Sequence, residues 1–339
     1  MPAALGVLGA SNGFLALFEV DTVAGVVLGG IFALSALGIV LVYRVTGVLN
    51  FAHGAMGMFS TFIAWKVLHD WHPGVATKEI AFTDVKSIAF AVAIALVFSL
   101  LLGLVLENAV FRWLRGRTQL TKAVITVGIL LALQSTASLL FGSTQYHEAI
   151  QFFDPTRCPA GNPACVTWVI PEVNVGPVNL PSIAIGWDQL LVLFVALALA
   201  AALAIFLRTT RIGTAMRAVS DDPVAASLWG IPVNLVGSVS WMLGSLVAAI
   251  AGILLISVGV TFDTVSLTVL IVDALAVALI AGLVSLPMAI VGGFALGLLE
   301  TYPKLYIQNS TGLPKFIAIM VILAVLLLRS EKNLLRSKS

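Results

Sequence analysis

Charge is what this sequence lacks most. Asp, Glu, Lys and Arg make up 10% of its 339 residues, against 60% hydrophobic, and the mean hydropathy is +1.08. A soluble domain carries roughly a quarter charged residues, so a chain with a large extramembrane domain is excluded and a polytopic membrane protein is expected. A phosphate-binding loop is also missing. No G-x-x-x-x-G-K-[ST] occurs, and no glycine-rich dinucleotide fingerprint follows a strand. The chain is therefore expected to bind no ATP by itself, and no catalytic residue, metal set, cofactor or nucleic-acid partner is assigned to it. Cysteine is nearly absent: Cys158 and Cys165 are the only two. The net charge of +2 says little about partners; the positions of the basic residues say more.

What is present is a succession of apolar runs. Met1 to Val20 is broken by Ser11, Asn12 and Gly13 and has no basic n-region, so it reads as an interfacial or partial helix and not as a signal peptide. Thr22–Tyr43 is the first span, ended by Arg44, with Gly25, Gly29, Gly30 and Gly38 offering small surfaces for close packing. Further apolar stretches are Phe51–Leu68, Ser87–Leu106, Ala123–Phe141, Gln189–Leu207, Val236–Gly259, Leu267–Leu283, Pro287–Leu299 and Leu313–Leu328. The expectation is a single all-α transmembrane domain over 1–339 with about eight spans, an N-terminal or re-entrant segment being left open. Basic residues concentrate in 107–122, in 208–217 and in the tail Arg329–Lys338, while loop 142–186 has Arg157 alone. The positive-inside rule makes the first three cytoplasmic, the C-terminus with them, and loop 142–186 extracytoplasmic. Cys158 and Cys165 then face an oxidising side at a spacing that allows a disulfide, the alternative being two free thiols.

The least membrane-like stretch is Arg208 to Pro232, RTTRIGTAMRAVSDDPVAASLWGIP. A bilayer interior does not tolerate Arg208, Arg211, Arg217, Asp221 and Asp222 together, so 208–235 lies in water between spans. Ile212, Met216, Val219, Val224 and Leu228 recur at helical spacings. Ser220, Asp221 and Asp222 before Pro223 mark one helix ending and a capped one starting, and Gly230 and Pro232 mark its stop. Taken alone, the segment is either a docking surface or a connector lying on the membrane. A second informative stretch is VTGVLNFAHGAMG at 45–57, where Asn50 and His53 stand among Gly47, Gly54 and Gly57. Polar residues beside glycines at membrane depth suit a broken helix facing a cavity, or a helix interface in which they satisfy local backbone groups.

NFAHG and GTAMRAVSDDPVAASLWGI together resemble the branched-chain amino acid (LivH-type) permeases, and the resemblance runs from about Thr22 to Leu328. It implies an ABC importer permease fold in a bacterial inner membrane. The chain would be the translocation subunit of an ATP-driven importer for branched-chain or other amino acids or small amides. The implied partners are a second related permease subunit, two cytoplasmic ATPase subunits that bring the ATP and Mg, an extracytoplasmic binding protein and membrane lipid. Arg217, Asp221, Asp222, Pro223 and Gly230 would couple to the ATPase; Asn50, His53 and Asp273 would belong to the pathway. Asp273 is the one ionisable residue expected deep in a span, and its other reading is a shallow helix end near the outer interface. Glu300 is expected at a cytoplasmic or interfacial end, in a structural pair. This chain departs from the family at Ala55, where an acidic residue is usual, at Asp273, where lysine is frequent, and at Ala281, Val284 and Met288, where glycine is common. A stand-alone ion- or proton-coupled carrier, with Asp273 and His53 as its titrating pair, is the alternative function; a non-transporting scaffold would leave both motifs without a purpose.

Overall fold

The computed structural model describes residues 10–71, 85–114, 116–142, 167–170, 173–175, 178–180, 183–258, 263–303, 307 and 312–336. The expected all-α architecture is there. Its helices are α1 (Ala10–Thr46), α2 (His53–Trp71), α3 (Val85–Ala109), α4 (Gln119–Phe141), α5 (Trp187–Thr209), α6 (Arg211–Asp221), α7 (Pro223–Leu228), α8 (Val233–Ser257), α9 (Thr264–Ile280), α10 (Leu286–Thr301) and α11 (Leu313–Arg336). Five of them, α1, α3, α4, α5 and α8, are long and apolar enough to cross a membrane, and α9, α10 and the 313–328 part of α11 are shorter apolar helices. The first helix starts earlier than the sequence suggests: Ser11, Asn12 and Gly13 lie inside α1, because an N-terminal extension of a long helix needs no apolar face of its own.

The bundle is built around α1 and α8. The most apolar windows of these two are 89% and 72% buried, against 28%, 11% and 28% for α3, α4 and α5, which turn their outer faces to the surroundings. Small residues make this possible. A Cβ at Gly29 would stand 2.7 Å from the Phe294 backbone, and one at Gly293 would stand 2.6 Å from that of Ala33, so α1 and α10 touch main chain to main chain. On α8, Gly244 and Gly252 make room for the side chains of Val42 and Thr61. The small-residue faces read from α1 and α8 are thus packing faces.

Between α1 and α2 the chain breaks at residues 47–52, as the glycines around NFAHG suggest, with Gly47 at φ +65°. The return between α9 and α10 is tight, with Gly282 and Leu283 at φ +68° and +60° and Ser285 capping α10. The loop before α5 is not merely irregular. Four short strands, β1 (Thr167–Ile170), β2 (Val173–Val175), β3 (Val178–Leu180) and β4 (Ile183–Gly186), form two antiparallel pairs, β1 with β4 and β2 with β3. Their Val and Ile content favours pleated pairing even inside a Pro- and Asn-rich loop. Cys158 and Cys165 lie outside the described residues.

Candidate functional site

The segment after α5 folds from its own capping chemistry. Thr210 caps α6, its hydroxyl accepting from the Gly213 amide at 3.0 Å, and a Cβ on Gly213 would meet the Leu207 backbone at 2.5 Å. Met216 and Val219 are 2% and 1% exposed and turn α6 onto the bundle, leaving Arg211, Thr214, Arg217 and Asp221 outside. The elbow stands where the sequence puts it. Asp222 ends α6 and caps α7, its carboxylate accepting from the Val224 amide at 2.8 Å and the Ala225 amide at 3.0 Å, with Pro223 in the first turn. Gly230, at φ +80°, closes α7: its amide donates to Ser227 and the Ile231 amide donates back to Ala226.

Helical spacing alone does not assign the faces. The inward stripe runs through Gly213, Met216, Val219 and Ala226, whereas Ile212, Val224 and Leu228 are exposed. The elbow at Asp222 reorients α7, so helical spacing does not carry across it. As a result Val224, Leu228 and Trp229 are 69%, 83% and 86% exposed, an apolar knob beside Asp221 and Asp222. Trp229 was not among the residues singled out from the sequence; a large aromatic next to the Gly230 stop was the available signal.

The NFAHG stretch is buried. Asn50 is 2% exposed, its side-chain oxygen accepting from the Ala52 amide at 3.0 Å and its amide nitrogen 3.5 Å from Met56 Sδ. His53 is 1% exposed and lies beside the Ser35 backbone, against Gly38, where a Cβ would meet its ring. Neither ring nitrogen has a partner in good hydrogen-bond geometry. Gly54 lets α2 press on Thr268 and Ile271 of α9, and Gly57 on Ala248 of α8. The motif therefore knits α2 into the centre of the bundle.

Asp273, on α9, is 1% exposed and so buried among the helices. Its carboxylate pairs with Lys315 of α11 and also meets Glu300 of α10; the same ammonium stands 5.8 Å from the centroid of the Phe32 ring. Glu300 is 3% exposed and lies at the end of α10 opposite Leu286, which borders Arg44 and Arg217; its contact with Asp273 is the structural pairing expected of it. Asp273 and His53 share no direct hydrogen bond or ion pair. Lys315 was missed in the sequence, although a lysine in the third position of the last apolar run was legible as a partner for a buried acid.

Arg44, Arg208 and Arg217, from the ends of α1 and α5 and from α6, border one cavity of about 270 Å³ at the end of the bundle that carries α6 and α7.

Comparison with known proteins follows this geometry. The model of the family described as branched-chain amino acid transport system / permease component matches residues 22–326. The high-affinity branched-chain amino acid transport system permease protein BraD of Pseudomonas aeruginosa is 28% identical over 290 residues, covering 83% of this chain and 84% of its own length. Its counterpart LivH of Escherichia coli K12 is 28% identical over 291 residues, 84% and 85% of the two chains. A probable branched-chain amino acid transport permease protein LivH of Methanocaldococcus jannaschii is 24% identical over 310 residues, 89% and 88%. No solved structure matches the chain.

Proposed function

The chain belongs to the branched-chain amino acid transport permease family and is a multi-pass membrane permease subunit, and from that premise we propose that it is the translocation subunit of an ATP-driven ABC importer. The basic ends of α1 and α5 and the start of α6 mark the cytoplasmic side by the positive-inside rule, which puts the C-terminus there and loop 142–186 outside. A second related permease would complete the pore, two ATPase subunits would supply ATP and Mg chemistry, and an extracytoplasmic binding protein would deliver the substrate.

The observation that carries this reading is the exposed knob of Val224, Leu228 and Trp229 on a rigidly capped elbow. Large apolar side chains held in water beside acidic ones mark an interaction surface. Met216 and Val219 fix the same segment to the bundle, so a movement imposed on the knob passes to α5 and α8 through packed side chains. Arg217, Asp221, Asp222, Pro223 and Gly230 contribute as the frame of that elbow; Asn50, His53 and Asp273 are assigned to the helices that would shift around the pathway. The substrate class is branched-chain amino acids, other amino acids or small amides, with selectivity residing mostly in the binding protein.

The test is a mild-detergent purification of the chain from its native membrane, with and without Leu228→Asp/Trp229→Asp. P-loop ATPases and a second permease should accompany the natural chain, and the double variant should reach the membrane at the same level yet lose the ATPases and uptake. Unchanged uptake in the variant would sink the docking role, and a natural chain that purifies alone would sink the importer reading.

A further inference from the structure

The cavity at the cytoplasmic-side end of the bundle has a composition that coupling does not explain. Three guanidiniums, from Arg44, Arg208 and Arg217, border it, and no carboxylate is among its described lining residues. Among the described residues no ion pair neutralises these cations. Arg44 Nε is buried without a hydrogen-bond partner, and the one side-chain bond of Arg217 goes to the hydroxyl of Thr214 at 3.3 Å. Ser285, the cap of the 16-residue α10, also lines the cavity, so that the positive end of a helix dipole points the same way. The rest of the wall is apolar, with Leu37 on α1, Leu203 on α5 and Ile290 on α10.

We propose that this cavity binds the phosphate headgroup of an anionic membrane lipid, its first acyl carbons lying along the wall of Leu37, Leu203 and Ile290. Converging, uncompensated arginines at a helix N-terminus call for a phosphate, which each guanidinium can grip through two parallel hydrogen bonds. A soluble phosphate would use the cations but has no use for the hydrocarbon wall. A lipid uses both, and basic pockets between helices at the cytoplasmic leaflet are suited to such headgroups. The placement of Arg217 on α6 gives the site a consequence. A headgroup held between Arg44 and Arg208 on the spans and Arg217 on the elbow ties the coupling segment to the bundle by a charge bridge. The inference stands on the cavity and its cations, and does not need the importer reading to be right.

Native mass spectrometry of the purified full-length chain in detergent, titrated with phosphatidylglycerol, phosphatidylcholine or inorganic phosphate, decides it. Phosphatidylglycerol should bind at least tenfold more tightly than phosphatidylcholine, and inorganic phosphate should bind weakly. Arg44→Gln/Arg208→Gln should weaken phosphatidylglycerol binding about thirtyfold, roughly fivefold for each basic residue removed. Ala204→Trp, which fills the cavity and keeps every arginine, should exclude the lipid while sparing residual phosphate binding; it guards against a double variant that misfolds. Equal binding of the two lipids, undiminished phosphatidylglycerol binding in both variants, or phosphate binding as tightly as phosphatidylglycerol would each overturn the lipid assignment. So would a fully assembled complex that excludes phosphatidylglycerol while the isolated chain retains it, since a partner's carboxylate would then hold the arginines.

Discussion

Asp222 and Asp273 are both carboxylates in a chain with few of them, and their surroundings differ as much as any two sites in the molecule. Asp222 is exposed, bonded to backbone amides two and three residues ahead, and could be placed by reading six consecutive letters. Asp273 is 1% exposed, and its ion-pair partner stands 42 residues away on another helix. The first site costs little to maintain because water solvates whatever the cap does not. The second exists only because Lys315 arrives at the same place, since a lone carboxylate in an apolar bundle would be strongly destabilising. One acid caps an exposed elbow; the other fastens three helices of the chain to one another.

The contrast can be broken most sharply at Lys315. Lys315→Met strands the Asp273 charge and should lower unfolding stability in detergent by about 3–5 kcal/mol, read as the midpoint of thermal or denaturant unfolding. Asp273→Leu/Lys315→Met removes both charges and should recover most of that loss; a single variant costing under about 1 kcal/mol would mean that Asp273 is hydrated after all. Next in size is the packing of the buried region. Gly29→Val drives a side chain into the Phe294 backbone and should cost at least about 1–3 kcal/mol, whereas Gly128→Ala on the outer face of α4, with nothing within 4 Å, should leave the midpoint unchanged or slightly raised.

Smaller effects belong to the elbow. Asp222→Ala removes an acceptor from two amides and should cost about 1 kcal/mol locally, visible as faster hydrogen exchange at Val224 and Ala225, while Asp222→Asn should keep the cap and leave exchange unchanged. The smallest effect on the fold is expected of Leu228→Asp, within about 0.5 kcal/mol, because that side chain is 83% exposed. If Leu228→Asp instead destabilised the isolated chain as much as Gly29→Val, the knob would be part of the core and the two regions would not be distinct.

Legibility in the sequence follows the same division. The elbow at Ser220 to Pro223, the stop at Gly230 and the break before His53 were readable because capping hydrogen bonds and positive-φ glycines act within a few residues. The face of α7 was not, since the turn at Asp222 resets the helical phase and leaves Val224 and Leu228 exposed. Asp273 was legible as an exceptional residue, but its partner was not.

By itself, then, the sequence determined a polytopic helical permease, the break before its second helix and its capped hydrophilic elbow. Hydropathy, glycine and capping chemistry are local properties, and they act before any tertiary contact forms. Only the tertiary structure decided that Lys315 and Glu300 meet Asp273, that Gly29 and Gly293 bring α1 and α10 into main-chain contact, and that Arg44, Arg208 and Arg217 converge on one cavity. All but Arg208 and Arg217 in these groups are tens to hundreds of positions apart. Between helices that are apolar on nearly every side, the pattern of oil and water no longer selects a face, and shape and buried charge decide how they pack.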